Sequence, residues 1–120
     1  MSAFALVSAP AVSTQATVTQ AAAGTGVRNV CNGFSFGFSA TTALGGITTV
    51  TVNLRDGTTG AGTILRSFQF TLAAAVVAPL VYGIAGLQLQ GSLATAMTLE
   101  FAALATNLLQ FVNLDGYTLP

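Results

Sequence analysis

A chain of 120 residues suits one domain and can bury roughly two-thirds of its unfolded surface, so it needs no disulfide or metal to fold. Its only charged side chains are Arg28, Arg55, Arg66, Asp56, Asp115 and Glu100, and it has no lysine and no histidine. That set excludes binding to nucleic acid through phosphate neutralisation, and nucleophilic catalysis that relies on histidine or lysine.

With 5% charged residues, against about 25% in an ordinary domain, copies of this neutral chain repel one another weakly. An oligomer, or a subunit of a larger assembly, is expected. Cys31 is the single cysteine, so no intrachain disulfide and no cysteine metal site is expected, and it reads as a small buried apolar residue. A calcium site or a glycosidase pair would have to gather Asp56, Glu100 and Asp115 from distant parts of the chain, and no spacing marks them for it. The sequence therefore points to no catalytic residue, no cofactor and no metal.

Residues 1–27 carry no charge and are rich in Ala, Ser, Thr, Val and Gln. The opening "MSAFALVSAPAVST" lacks a basic region and a long apolar run, and is read as no secretory signal. "AAAGTG" (21–26) reads as a flexible joint. The segment is expected to be an N-terminal arm or an edge strand. As an arm it would contact a neighbouring subunit through Phe4, Leu6, Val7, Val12 and Val18, which are too sparse to form a core of their own.

From residue 28 to 120 the dominant period is two, and this part is expected to form a β-sandwich domain. In "FSFGFSA", Phe34, Phe36 and Phe38 share one face. In "TTVTVNL", Thr48, Val50, Val52 and Leu54 do the same. In "ILRSFQFTL", Ile64, Phe68, Phe70 and Leu72 share a face with Arg66. Such β-branched and aromatic runs suit a pleated, half-buried surface. Asn32-Gly33, Gly45-Gly46, Asp56-Gly57 and "TTGAG" (58–62) are turn signals. The glycines at 57, 60 and 62 match no phosphate-binding spacing and are read as turn geometry.

The uncharged run "LAAAVVAPLVYGIAGL" (72–87) raises the question of a membrane span, which needs about 20 apolar residues. Pro79, Gly83, Gly86 and the lack of flanking lysine or arginine weigh against one. "TAMTLEFAA" fits a strand with Met97, Leu99 and Phe101 on one face, yet Leu93, Met97, Phe101, Leu104, Leu108 and Phe111 also fit a helical stripe. The strands upstream favour strand, because a sheet needs partners for its edges. "LLQFVNLDGY" (108–117) closes the count at seven or eight strands in two antiparallel sheets. Arg66, on the apolar parity of its strand, is read either as an edge residue reaching water or as an ion pair, with Glu100 or Asp56 as its partner.

The stretches "VNLRDGTTGAGTILRSFQF", "GLQLQGSLATAMTLEF" and "VNLDGY" together resemble the small jelly-roll or β-sandwich proteins that decorate, or cement, the capsids of tailed bacteriophages. The likeness covers about residues 45–117 and lies in folding residues rather than in a site. It implies an all-β, antiparallel, jelly-roll-like sandwich with an extended N-terminal arm. It also implies a non-enzymatic virion subunit on the capsid surface. Its partners would be the major capsid protein and copies of itself, as dimer or trimer, with no nucleic acid and no membrane. The tip "DGTTGAG" would be a candidate contact surface. A carbohydrate- or receptor-binding module of a phage tail or fibre is the alternative, and a small membrane protein the second alternative.

Overall fold

The computed structural model describes residues 1–120. All its regular elements are strands: β1 (Ala3–Ser8), β2 (Thr17–Gln20), β3 (Arg28–Ala40), β4 (Thr48–Asp56), β5 (Thr63–Leu72), β6 (Val77–Leu93), β7 (Met97–Phe101) and β8 (Leu109–Leu119). They form two four-stranded sheets of order β1-β8-β3-β6 and β2-β7-β4-β5, with every pairing antiparallel. First pairs with last, second with seventh, third with sixth, and fourth with fifth. The chain is thus one long hairpin, folded over so that alternate pairs enter opposite sheets. This is the jelly-roll arrangement, and the all-β sandwich expected from the alternation is the fold observed. The β4–β5 connection, residues 57–62, is the tip of that ribbon.

The faces read from the alternation form the core. Phe34, Phe36, Phe38, Val112 and Leu114 of one sheet meet Val50, Val52, Leu54, Met97, Leu99 and Phe101 of the other. The Phe36 ring lies edge-on to Phe101 with centroids 6.3 Å apart, joining the two layers. Leu44 and Leu108, from connections, seal one end.

The structure decides between alternatives that the sequence left open and departs from the sequence reading at two positions. Residues 1–27 supply β1 and β2, an edge strand for each sheet, so that of the two expectations the edge strand is what forms and no arm extends from the body. Phe4, Leu6 and Val18 pack on the chain's own core and so are not free to anchor a neighbour, while Val7 and Val12 are exposed. The reason is pairing: an uncharged strand satisfies its backbone groups and its apolar side chains together by joining an open sheet edge.

Asn32-Gly33, read as a turn, lies inside β3 at a shift of register, because β6 and β8 pair with the strand on both sides of it and hold it extended through a bulge. The other difference is at β5. Leu54 pairs with Arg66 but Arg55 with Ile64, so Leu65 is bulged out of the ladder. The bulge reverses the parity: Leu65 packs against the core and Ile64 is exposed. The apolar run 72–87 is not helical, in line with the weight of its proline and glycines against a spanning helix. It contains the end of β5, a short crossing and most of β6, and no helix is long and apolar enough to cross a membrane. Residues 93–111 are strand, loop and strand.

Candidate interaction surface

Polar side chains gather on the outer face of the β2-β7-β4-β5 sheet. Glu100 and Thr98 of β7 stand beside Thr17 and Thr19 of β2 and Asn53 and Arg55 of β4, as the ladder register requires. The tip 57–62 folds back over them. Gly60 N donates to Glu100 Oε1 at 3.1 Å, Thr98 Oγ1 donates to Gly57 O at 2.8 Å, and Thr59 and Thr17 hydroxyls meet at 2.8 Å. Gly62 has φ +81°, and a Cβ there would stand 2.2 Å from Asp56 O, so the return of the loop requires glycine at this position.

Under this cover Glu100 is 1% exposed and ion-paired with Arg55, which is 16% exposed. The ion pair read from the sequence as Arg66–Glu100 is therefore Arg55–Glu100. Register explains the change: Arg55 sits opposite Thr98, next to Glu100 on the outer face, whereas Arg66 opposes Leu54 on the inner face. The tip is thus clasped to its own sheet through Gly57, Thr59 and Gly60. Asp56, at the end of β4, accepts from Ser92 N at 3.0 Å and Ser92 Oγ at 2.6 Å and so ties β6 to the opposite sheet. The three carboxylates are not gathered into a cluster.

Cys31 is buried in the core, and burial pushes its thiol up to about 11, with the charge of Asp115 adding to the rise. Its Sγ lies 3.6 Å from Gly33 O.

A different kind of surface lies where the two sheets end. β5 and β6 are the terminal strands of their sheets on the same side of the sandwich, one paired only with β4 and the other only with β3. Each therefore presents a row of backbone groups with no partner. β6 has 17 residues and not one charge. Its side chains at Leu80, Tyr82 and Ile84 pair with Phe38, Phe36 and Phe34 and so face inward, while Val81, Gly83 and Ala85 face out. Val81 is 68% exposed, Tyr82 40% and Ile84 38%.

Between the strands opens a cleft of about 220 Å³ lined by Phe34, Arg66, Phe68, Tyr82, Ile84 and Leu87. Its aromatic wall continues the core outward: Phe68 lies 5.2 Å from Tyr82 and 5.3 Å from Phe36, centroid to centroid. Arg66 stands at the rim, exposed, its Nη1 donating 2.7 Å to the neighbouring Leu65 O and meeting no carboxylate. The edge reading of Arg66 is the one that holds. Sequence reasoning missed Tyr82, Ile84 and Leu87 as surface residues. The available signal was an uncharged run, too apolar for a solvated strand, that contains a proline and two glycines.

No family profile matches the sequence, and no curated protein does either. Among solved structures, 95% of the chain is similar to part of an arabinose-bound GH51 α-L-arabinofuranosidase, at 17% identity and a TM-score of 0.45; the chain spans 19% of that protein. A Bacillus endospore appendage, a disulfide-linked pilus, is similar at 14% identity and a TM-score of 0.36, over 98% of this chain and 86% of that one. The coat protein of tobacco streak virus is similar at 10% identity and a TM-score of 0.35, over 99% of this chain and 89% of that one. These values transfer no property from those proteins to this chain.

Proposed function

We propose that the chain is a non-enzymatic structural protein of a virion, a decoration or cement subunit that stabilises a capsid lattice from its outer surface by protein–protein contacts. Its partners on this reading are the major capsid protein and further copies of itself. The observation that carries the reading is the free edge of β5 and β6: two strands each paired on one side only, a single charge between them, and an apolar cleft at their mouth. An exposed edge of this length and apolarity is an aggregation liability unless a partner covers it. The jelly-roll order supports the same reading, since capsid domains are among those built this way, together with lectins and cupins. Neutrality adds to it, because a lattice subunit must lie close to many like copies.

The test is direct. Antibodies raised against the purified chain should label the outside of intact virus particles purified from cultures of the source, seen as gold at the particle surface by electron microscopy. Labelling confined to soluble cell extract, with none on particles, refutes the reading.

A further inference from the structure

The free edge has a defined length. From Leu80 to Ala85 the β6 ladder with β3 runs without a shift, Phe38 opposite Leu80 through Gly33 opposite Ala85. Pro79 precedes this window and lacks the N–H a ladder needs. Gly86, at φ +74°, follows it, where the register shifts between Cys31 and Gly33. The open side of β6 is thus a straight template of six residues, LVYGIA, bounded at both ends.

Three features of the window specify what fits there. The backbone row asks for an extended segment. The cleft beneath it, walled by Phe34, Phe68, Tyr82, Ile84 and Leu87, asks for apolar side chains on the segment's inner face. Arg66, on the inward face of β5 across the mouth, is a cation without a carboxylate. It asks for an acidic side chain on that same inner face. A second copy of the chain supplies the strand but not the acid. Two β6 strands paired about a two-fold axis normal to the sheet keep both inner faces on one side, so that the two Arg66 share it. Asp115, the exposed acid, pairs with Gly33 on the outer face, on the wrong side of the sheet.

We propose that the mouth between β5 and β6 takes up an extended apolar segment of a partner protein as an added strand along Leu80–Ala85, with an acidic side chain of that segment on Arg66. This rests on the reading of the chain as a contact protein, and names the chemistry of the partner's segment. Bound so, the segment continues the β1-β8-β3-β6 sheet by one strand and closes the cleft over its aromatic wall.

The probe is an end-capped seven-residue peptide of alternating valine and threonine with one central glutamate among the valines, beside versions with glutamine or lysine in its place. The full chain should bind the glutamate peptide, the glutamine peptide roughly two- to fivefold more weakly, and the lysine peptide more weakly still. Arg66→Glu should reverse the order, favouring lysine. Arg66 has no side-chain partner, so the variant should keep the parent melting curve; if it does not, the three peptides on the unaltered chain read the same charge. Hydrogen exchange should slow by about tenfold or more at alternate amides within 80–85 when the glutamate peptide is bound, and not on the tip 57–62.

Binding of none of the peptides, equal binding of all three, or protection outside β6 overturns the proposal. So does a dimer in light scattering whose β6 amides are protected without peptide, since a second copy then holds the edge. Particle labelling does not depend on this edge, so labelled particles without peptide binding would sink this inference and leave the virion role standing.

Discussion

Phe36→Ala is the sharpest probe of how the two layers are held. The ring is fully buried in mid-strand, and its centroid lies 5.3 Å from Phe68, 5.5 Å from Tyr82, 6.0 Å from Phe70 and 6.3 Å from Phe101. Losing the buried ring costs about 2–3 kcal/mol in transfer free energy alone. The cavity left behind brings the usual total to about 3–5 kcal/mol, depending on how far the walls close. Here Phe68 and Tyr82 stand at the open mouth and have room to slide inward, so the lower part of that range, about 3–4 kcal/mol, is expected. For a domain of this size that is a fall in Tm of roughly 10–20 °C. The assay is urea unfolding followed by far-ultraviolet circular dichroism, since there is no tryptophan to report by fluorescence. The slope with denaturant should stay constant while the midpoint falls. A loss below about 1 kcal/mol would mean that the ring is not the joint between the sheets, and the reasoning from alternation to core would fail.

Three other outcomes are expected. Deleting residues 1–20 removes both edge strands, β1 and β2, and exposes the edges of β8 and β7, so the truncated chain should be unfolded or aggregated by circular dichroism and light scattering; a monomeric sandwich with native stability would show that the segment is dispensable after all. Glu100→Ala should cost about 3–5 kcal/mol in denaturant melts, because it strips a buried partner from Arg55 and from Gly60 N, whereas Arg66→Ala should cost under about 0.5 kcal/mol; equal costs would contradict the pairing. Cys31 gives a pH dependence. Its folded thiol, raised to about 11 by burial, holds its proton where the unfolded thiol, near the ordinary 9.0, has lost it. The folded state then binds more protons than the unfolded one between those values, so this contribution is intact below pH 9 and is lost as pH rises towards 11, by roughly 2–3 kcal/mol in total. Melts at about pH 8 and about pH 10.5 should therefore diverge more for the parent than for Cys31→Ala, and parallel curves would refute the burial of the thiol.

Much of the core was legible because period two is a local property. Phe34, Phe36 and Phe38, then Val50, Val52 and Leu54, then Met97, Leu99 and Phe101 each alternate within one strand, and each set is buried as the alternation requires. Gly45, Gly46, Gly57, Gly60 and Gly62 lie between strands as read, whereas Asn32-Gly33, read as a turn, lies inside β3 at a shift of its register, where an extra residue is absorbed by a bulge rather than a reversal. Where local rules met competition they needed a third dimension to decide. Residues 93–111 satisfied a helical stripe as well as a strand, and β4 and β2, lying either side of β7, decide for strand. The Leu65 bulge reversed a parity that alternation alone would have continued.

The candidate surface was the least legible part. That Arg66 is a lone cation depends on Glu100 being taken by Arg55, which depends in turn on the tip 57–62 folding over the outer face of its sheet. Nothing in the spacing of these residues orders those contacts, because they join positions about 40 residues apart. The same holds for the edges. Residues 1–27 carry apolar anchors that would serve an arm or a strand equally well, and only the vacant edges of β8 and β7 make them strands. Every strand has two rows of backbone groups, alike in chemistry. Its side-chain pattern says that it will join a sheet and which face it will bury; which of its two edges is left without a neighbour is decided only when all the other strands have taken their places.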